Sequence, residues 1–303
     1  MNKTRRLLLI ASLATSVWLP GQVLADEKLP VTVSFSILGD LVRIVGSDRV
    51  AVTTLVGPDE DAHAFQPKPA HAKAVLGAKL LVTNGLGFEP WATKLVKSAG
   101  YKGESVIAAK GVVTQAIVQD KAAGGHDDLD PHAWQNPNHV MVYVRNIAAG
   151  LSKVDAAGAS TYQRNAEAYV KELQSLDTWI KAQFADVPAT KRQVITSHDA
   201  FGYFGKQYQI KFLAPQGVNT DAEPSAKQVA QLIRQIQREK IRAVFVENMS
   251  NPKLVAQLSK DAGATVGASL YSDALSGPDK PGATYLQMMR YNTTQLAAGM
   301  KLN

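Results

Sequence analysis

ASTYQRNAEAYVKELQSLDTWIKAQF, residues 159–184, is a stretch with helix-forming residues and no strand signal near the middle of the chain. Tyr162, Ala166, Tyr169, Leu173, Leu176 and Ile180 recur at helical spacing, which predicts one helix with a single apolar stripe. At 1.5 Å per residue such a helix extends on the order of 35 to 40 Å, about one domain diameter, so it can bridge two bodies. Val187-Pro188-Ala189 stops it.

On both sides, short Val/Ile/Leu-rich runs alternate with segments of helical period, the signature of β-α-β units and parallel sheets. Before the helix, Val31 to Ile37, Val50 to Val56, Leu80 to Asn84 and Glu104 to Ala108 read as strands. Helical patterns lie between them around Leu41 to Val45, Ala70 to Gly77 and Trp91 to Ala99. After it, the strands are Gln193 to Thr196, Ile210 to Ala214, Ala243 to Glu247 and Thr265 to Leu270. Ser225 to Lys240 is helical, with Val229, Leu232, Ile233 and Ile236 on one face. The expected fold is α/β, with two Rossmann-like lobes of mainly parallel, four-stranded sheets. An N-terminal lobe (26–155) and a C-terminal lobe (187–303) are joined by one long linking helix (156–186).

The 303 residues are 46% hydrophobic and 19% charged, a globular composition. Cysteine is absent, which excludes disulfides, thiol nucleophiles, iron–sulfur clusters and thiolate zinc sites, and argues against a lipid-modified cysteine. Residues 1–25 carry Lys3, Arg5 and Arg6, an apolar run from Leu7 to Leu19 and the small-residue end Val23-Leu24-Ala25, which predicts a signal peptide cleaved near Ala25. Pro20 breaks the run too early for a membrane span, and no later segment is long and apolar enough. The expected location is the periplasm, with no part embedded in the membrane. Removing the signal lowers the formal charge from +7 to +4, and the remaining basic residues are scattered, so nucleic acid is not expected as a partner.

Open α/β sheets bind ligands beyond the carboxyl ends of their strands. There the chain places His63 in Asp61-Ala62-His63-Ala64-Phe65, His132 in Asp130-Pro131-His132-Ala133-Trp134, His198 in Ser197-His198-Asp199, and Asp273 in Leu270-Tyr271-Ser272-Asp273. Taken singly, each histidine reads equally as a cap or a hydrogen-bonded core residue, and Asp273 as a turn cap. Taken together, three imidazoles and a carboxylate, two groups from each lobe, suit a tetrahedral or slightly expanded divalent metal site. Asp199 and Glu247 are candidates to orient a ligand imidazole. His126, among Asp127, Asp128 and Asp130, is a candidate auxiliary metal contact, whereas His71 and His139 read as solvated surface. Asn84-Gly85-Leu86-Gly87-Phe88-Glu89-Pro90 faintly matches a dinucleotide fingerprint, but Pro90 stands at the third glycine position.

The segments DAHAFQP, NGLGFEP, DPHAWQNP, SHDAFGYF, FVENMSNP and LYSDALS, in order across the mature chain, resemble the metal-binding proteins of ABC transporters, the cluster A-I solute-binding family of zinc and manganese receptors. The resemblance implies a metal held in the cleft between lobes by His63, His132, His198 and Asp273, one ion per chain, delivered by a monomer to a membrane permease. Manganese-type members tend to carry a second carboxylate where this chain has His198, so zinc is expected and manganese is the alternative. The histidine-rich loop of many zinc members is reduced here to His126. The competing classes are an exported zinc hydrolase, for which no general base is evident, and a surface adhesin.

Overall fold

The structure is a computed structural model that describes residues 27–117, 129–220 and 224–303. The expected signal peptide and His126 lie outside the described residues. Among those described, no helix is long and apolar enough to cross a membrane.

The first lobe is built from β1 (Leu29–Phe35), α1 (Ser36–Gly46), β2 (Val50–Val56), α2 (Pro69–Leu76), β3 (Leu80–Thr83), α3 (Pro90–Ala99) and β4 (Glu104–Ile107). All its strand pairs are parallel, in the order β2-β1-β3-β4. α4 (Pro137–Val154) starts at an Asn136 cap whose side chain accepts the Asn138 amide, with Pro137 in the first turn. α5 (Ala159–Gln183) is the long helix: the six apolar residues expected on its stripe are all buried, joined by Val170 and Asp177.

The second lobe follows with β5 (Gln193–Ile195), α6 (Gly202–Tyr208), β6 (Lys211–Leu213), α7 (Ala226–Glu239), β7 (Ala243–Val244), α8 (Pro252–Ala262), β8 (Thr265–Val266) and α9 (Tyr285–Met300). Its sheet is again all parallel and repeats the first lobe's order, β6-β5-β7-β8. The strands are shorter than the apolar runs predict. The run Ala243 to Glu247 keeps regular pairing only over Ala243–Val244, and Thr265 to Leu270 only over Thr265–Val266. Beyond them the chains part and meet again at isolated bridges, Glu247 with Leu270 and His198 with Gln216. Ile37, expected at the end of β1, instead lies in the first turn of α1, because the chain turns helical at Ser36.

One hydrophobic core runs through both lobes. It joins Val31, Val33 and Leu80 of the first sheet, Leu173 and Ile180 of α5, and Met288, Leu296 and Met300 of α9. A smaller cluster, including Ile195, Leu232, Ile236 and Leu258, lies where α7 and α8 cover the outer face of the second sheet. Asp177 of α5 accepts from Asn138 of α4 and from Gln207 and Tyr208 of α6, so a single buried carboxylate ties the long helix to elements on both sides.

Candidate metal centre

Each candidate ligand lies beyond the carboxyl end of a parallel strand: His63 after β2, His132 after β4, His198 after β5 and Asp273 after β8. The two sheets point these ends at one another, and the four side chains meet, with one donor atom from each lying within 4.8 Å of all the others. His63 Nε2 is 3.2 Å from His132 Nε2 and 3.3 Å from Asp273 Oδ2. His198 Nε2 is 3.0 Å from Asp273 Oδ2, and His132 Nε2 is 3.6 Å from Asp273 Oδ1. A tetrahedron of donors about 2.0 to 2.1 Å from a metal has edges of about 3.4 Å, which is the scale of these separations. His63 is 6% exposed and the other three residues are 0%, so the cluster approaches solvent only at His63.

The same local device fixes two of the histidines. In Asp61-Ala62-His63 and Asp130-Pro131-His132 the aspartate Oδ1 accepts the backbone amide of the histidine two residues on, at 2.8 and 2.9 Å. Asp130 Oδ1 also lies 2.8 Å from His132 Nδ1, so that nitrogen donates and Nε2 turns its lone pair inward. In the other lobe Glu247 does this for His198. One of its oxygens abuts His198 Nδ1 and accepts the Ser272 hydroxyl, while the other accepts the Ser197 and His198 amides. Asp199, the other candidate for that task, makes no hydrogen bond to the His198 ring. The Asp130 contact was not singled out by sequence reading, although the shared D-x-H spacing was there to find it.

The NGLGFEP segment has a positioning role. Gly85, Leu86 and Gly87 all take positive φ, of 86°, 56° and 80°, forming a tight turn after β3. Its donors are filled internally: the Asn84 and Gly85 amides and the Ser34 hydroxyl all donate to Glu89. A phosphate therefore has no place there, which adds to the case against a nucleotide. The turn instead sets Phe88 edge-on to His63, with ring centroids 4.7 Å apart, and Asn84 donates to the Pro131 carbonyl beside His132. Phe35, Phe88 and Trp134 pack together beneath these imidazoles. Trp134 and Gln135 both donate across the cleft to the Ser272 carbonyl, fixing the residue before Asp273.

The charges are coupled. Burial works to lower the His198 pKa, but the carboxylates of Glu247 and Asp273 outweigh it and hold the imidazole well above the usual histidine range. Burial likewise works against ionised Asp273, yet His198 and His132 hold it well below the ordinary carboxylate range. Asp273 Oδ1 is buried with no hydrogen-bond partner among the described residues. A carboxylate oxygen so placed is costly unless a cation compensates it, and three imidazole nitrogens with one carboxylate are a donor set that fits a divalent transition metal. Four protein donors leave no tetrahedral position for a reactive water, unlike a hydrolytic zinc site.

His71 and His139 stand apart from this cluster but are not the solvated surface groups expected. His71 is half-buried against Phe65 and accepts the Lys68 amide, and His139 is half-buried edge-on to Tyr203, where burial lowers its pKa.

Comparison with known proteins points the same way. The family model described as zinc-uptake complex component A, periplasmic (ZnuA), matches residues 31–299. The manganese-binding lipoprotein MntA of Halalkalibacterium halodurans is 31% identical over 274 residues, covering 90% of this chain and 89% of its own. The manganese-bound periplasmic metal binding protein of Candidatus Liberibacter asiaticus superposes with a TM-score of 0.80 at 28% identity, covering 90% of this chain and 100% of that one. The periplasmic zinc binding protein TroA of Treponema pallidum shares the fold with a TM-score of 0.84 at 24% identity, covering 90% of this chain and 99% of its own.

Proposed function

Because the chain belongs to the ZnuA family of zinc-uptake components, we propose that it captures one zinc ion on His63, His132, His198 and Asp273 and delivers it to the membrane permease of a metal ABC transporter. The family consists of substrate-binding proteins, so this chain is a metal-binding protein and not an enzyme. It works outside the cytoplasm, in the periplasm, after export directed by residues 1–25, and it carries one ion per monomer. Residues 26–155 and 187–303 act as the two jaws, with 156–186 as the link between them.

The observation that carries the choice of zinc is the donor set. Three imidazole nitrogens and one carboxylate at tetrahedral spacing suit zinc, whereas manganese favours oxygen donors in a larger shell. The manganese reading has its own support: a 31% identical relative is named for that metal, and a 28% identical solved structure holds it. Asp130 and Glu247 hold the imidazoles in the tautomer that binds, and neutral imidazoles with ionised Asp273 replace the hydration shell of the ion.

Metal analysis of protein taken from its native compartment, followed by competition of zinc against manganese, tests this. One zinc per chain is expected, lost in His63→Ala, His132→Ala and His198→Ala and weakened in Asp273→Ala. Unchanged stoichiometry in all four variants would reject the site, and saturation by manganese in the presence of equal zinc would reject the metal.

A further inference from the structure

The loop between β2 and α2, which carries His63, touches both lobes. On its own side, Trp91 Nε1 donates to the Ala62 carbonyl at 2.7 Å. Across the cleft, Asp59 Oδ1 accepts from Asn248 Nδ2 at 2.8 Å and its Oδ2 accepts from Lys280 Nζ at 2.8 Å. The Asp59 amide donates to the Leu275 carbonyl at 2.9 Å, and the Leu275 amide in turn donates to Ser36 Oγ. Leu275 stands two residues after Asp273, so these contacts pin the loop bearing one candidate ligand against the loop bearing another.

The backbone at Asp59 supports a role for its side chain. Its φ is 59°, in the left-handed region where glycine is the least costly residue. An aspartate there is held against its backbone preference, and its carboxylate contacts across the cleft favour that conformation. The carboxylate is held in its charged form. Burial works against ionisation, but the donors Asn248 and Lys280 draw its pKa below the ordinary value.

We propose that Asp59 is a positioning residue that latches the cleft, so that rupture of its contacts with Lys280 and Asn248 governs how fast the ion leaves. The latch rests on the metal site proposed above. It sits on the loop that carries His63, the one candidate ligand with exposed surface, whose Nε2 lies 3.3 Å from Asp273 Oδ2 of the other lobe. Asp61 supports it from the same loop, accepting Thr220 Oγ1 of the second lobe at 2.7 Å.

Stopped-flow release of zinc into excess chelator, with uptake measured separately, reads the effect. Asp59→Gly keeps the positive φ without strain and removes the carboxylate; it is expected to release zinc about tenfold faster with uptake unchanged. Lys280→Gln is expected to release it about threefold faster. The double variant should match Asp59→Gly alone, because Lys280→Gln removes only a contact that Asp59→Gly has already broken, whereas independent structural damage would add. Lys153→Gln, which breaks an ion pair with Glu104 far from the cleft, should leave release unchanged. Wild-type release rates in both Asp59→Gly and Lys280→Gln would overturn the latch. If wild-type protein bound no zinc, the site reading would fail, and hydrogen exchange over residues 57–63 would still decide the latch without metal. Faster exchange in Asp59→Gly supports it and unchanged exchange overturns it.

Discussion

At His198 two carboxylates address one ring, Glu247 at Nδ1 and Asp273 at Nε2, with no solvent to screen them. The folded pKa lies well above the unfolded value near 6.5, so in the metal-free protein this proton's contribution is complete below about 6.5 and fades as pH rises through the folded value. Asp273 is shifted the other way: its contribution is present above about 3.9 and is lost as pH falls through its lower folded value. An ion bound at the proposed site must displace the His198 proton. Zinc added to weakly buffered protein at pH 7.5 should therefore release about one proton per ion, read with an indicator dye. In Glu247→Gln the release should shrink and zinc affinity drop on the order of tenfold. The four ligand candidates were legible because each lies on the carboxyl side of a strand and within a motif that resembles a known family's, although His132 stands well past β4 behind an acidic stretch. Which acid serves which imidazole was not: Asp199 is adjacent to His198 in sequence, while Glu247 reaches it through a neighbouring strand, and only pairing of β5 with β7 makes them neighbours.

Helices and strands differed in how plainly the sequence announced them. β2 and the stripe of α5 stand where the pattern puts them, since five β-branched residues in seven or six apolar residues at helical spacing leave little choice. α9 carries an equally periodic face, with Met288, Met289, Leu296 and Met300 buried, yet it follows the glycine- and proline-rich run 277–282 that masks its start, and it was passed over. The second-lobe strands were overestimated because an apolar run measures burial and not pairing: Gly267 lies against the Phe245 ring, and past it the chain leaves the ladder. Close approach also sets the fate of one helical glycine. Replacing glycine by alanine within a helix ordinarily gains up to about 1 kcal/mol. At Gly150 of α4 the added methyl would land on Val106 Cγ2 of β4, and neither backbone can retreat through the core. Gly150→Ala should instead lose about 1 to 3 kcal/mol in urea unfolding. A gain there would mean that α4 slides freely over the sheet.

The whole molecule was expected to be two bodies on a rod, and the two sheets and the long helix are there. What periodicity could not convey is that the halves share an interior, because a stripe on a helix does not say which neighbours it touches. α5 packs on α1, α4 and α9, and the core passes from the first sheet through α5 and α9 to the second. Asp40 of α1 accepts the Tyr285 amide at the start of α9, so even the C-terminal helix is capped from the opposite lobe. Heat should therefore unfold the metal-free protein in one transition seen alike by fluorescence and circular dichroism. Zinc at a thousandfold excess over its dissociation constant should raise the midpoint by on the order of 8 °C, from about 4 kcal/mol of linkage. Two separated transitions, or a midpoint indifferent to zinc, would contradict this account. A shared interior confines opening to a small rocking of one half on the other, and three of the four donors have no exposed surface at all. A rival molecule thus cannot approach the cargo and tug it free by attacking from outside; it must wait until the walls part. If the proposed site holds the ion, its loss to a chelator is therefore timed by the opening of the cleft and does not quicken as more chelator is added.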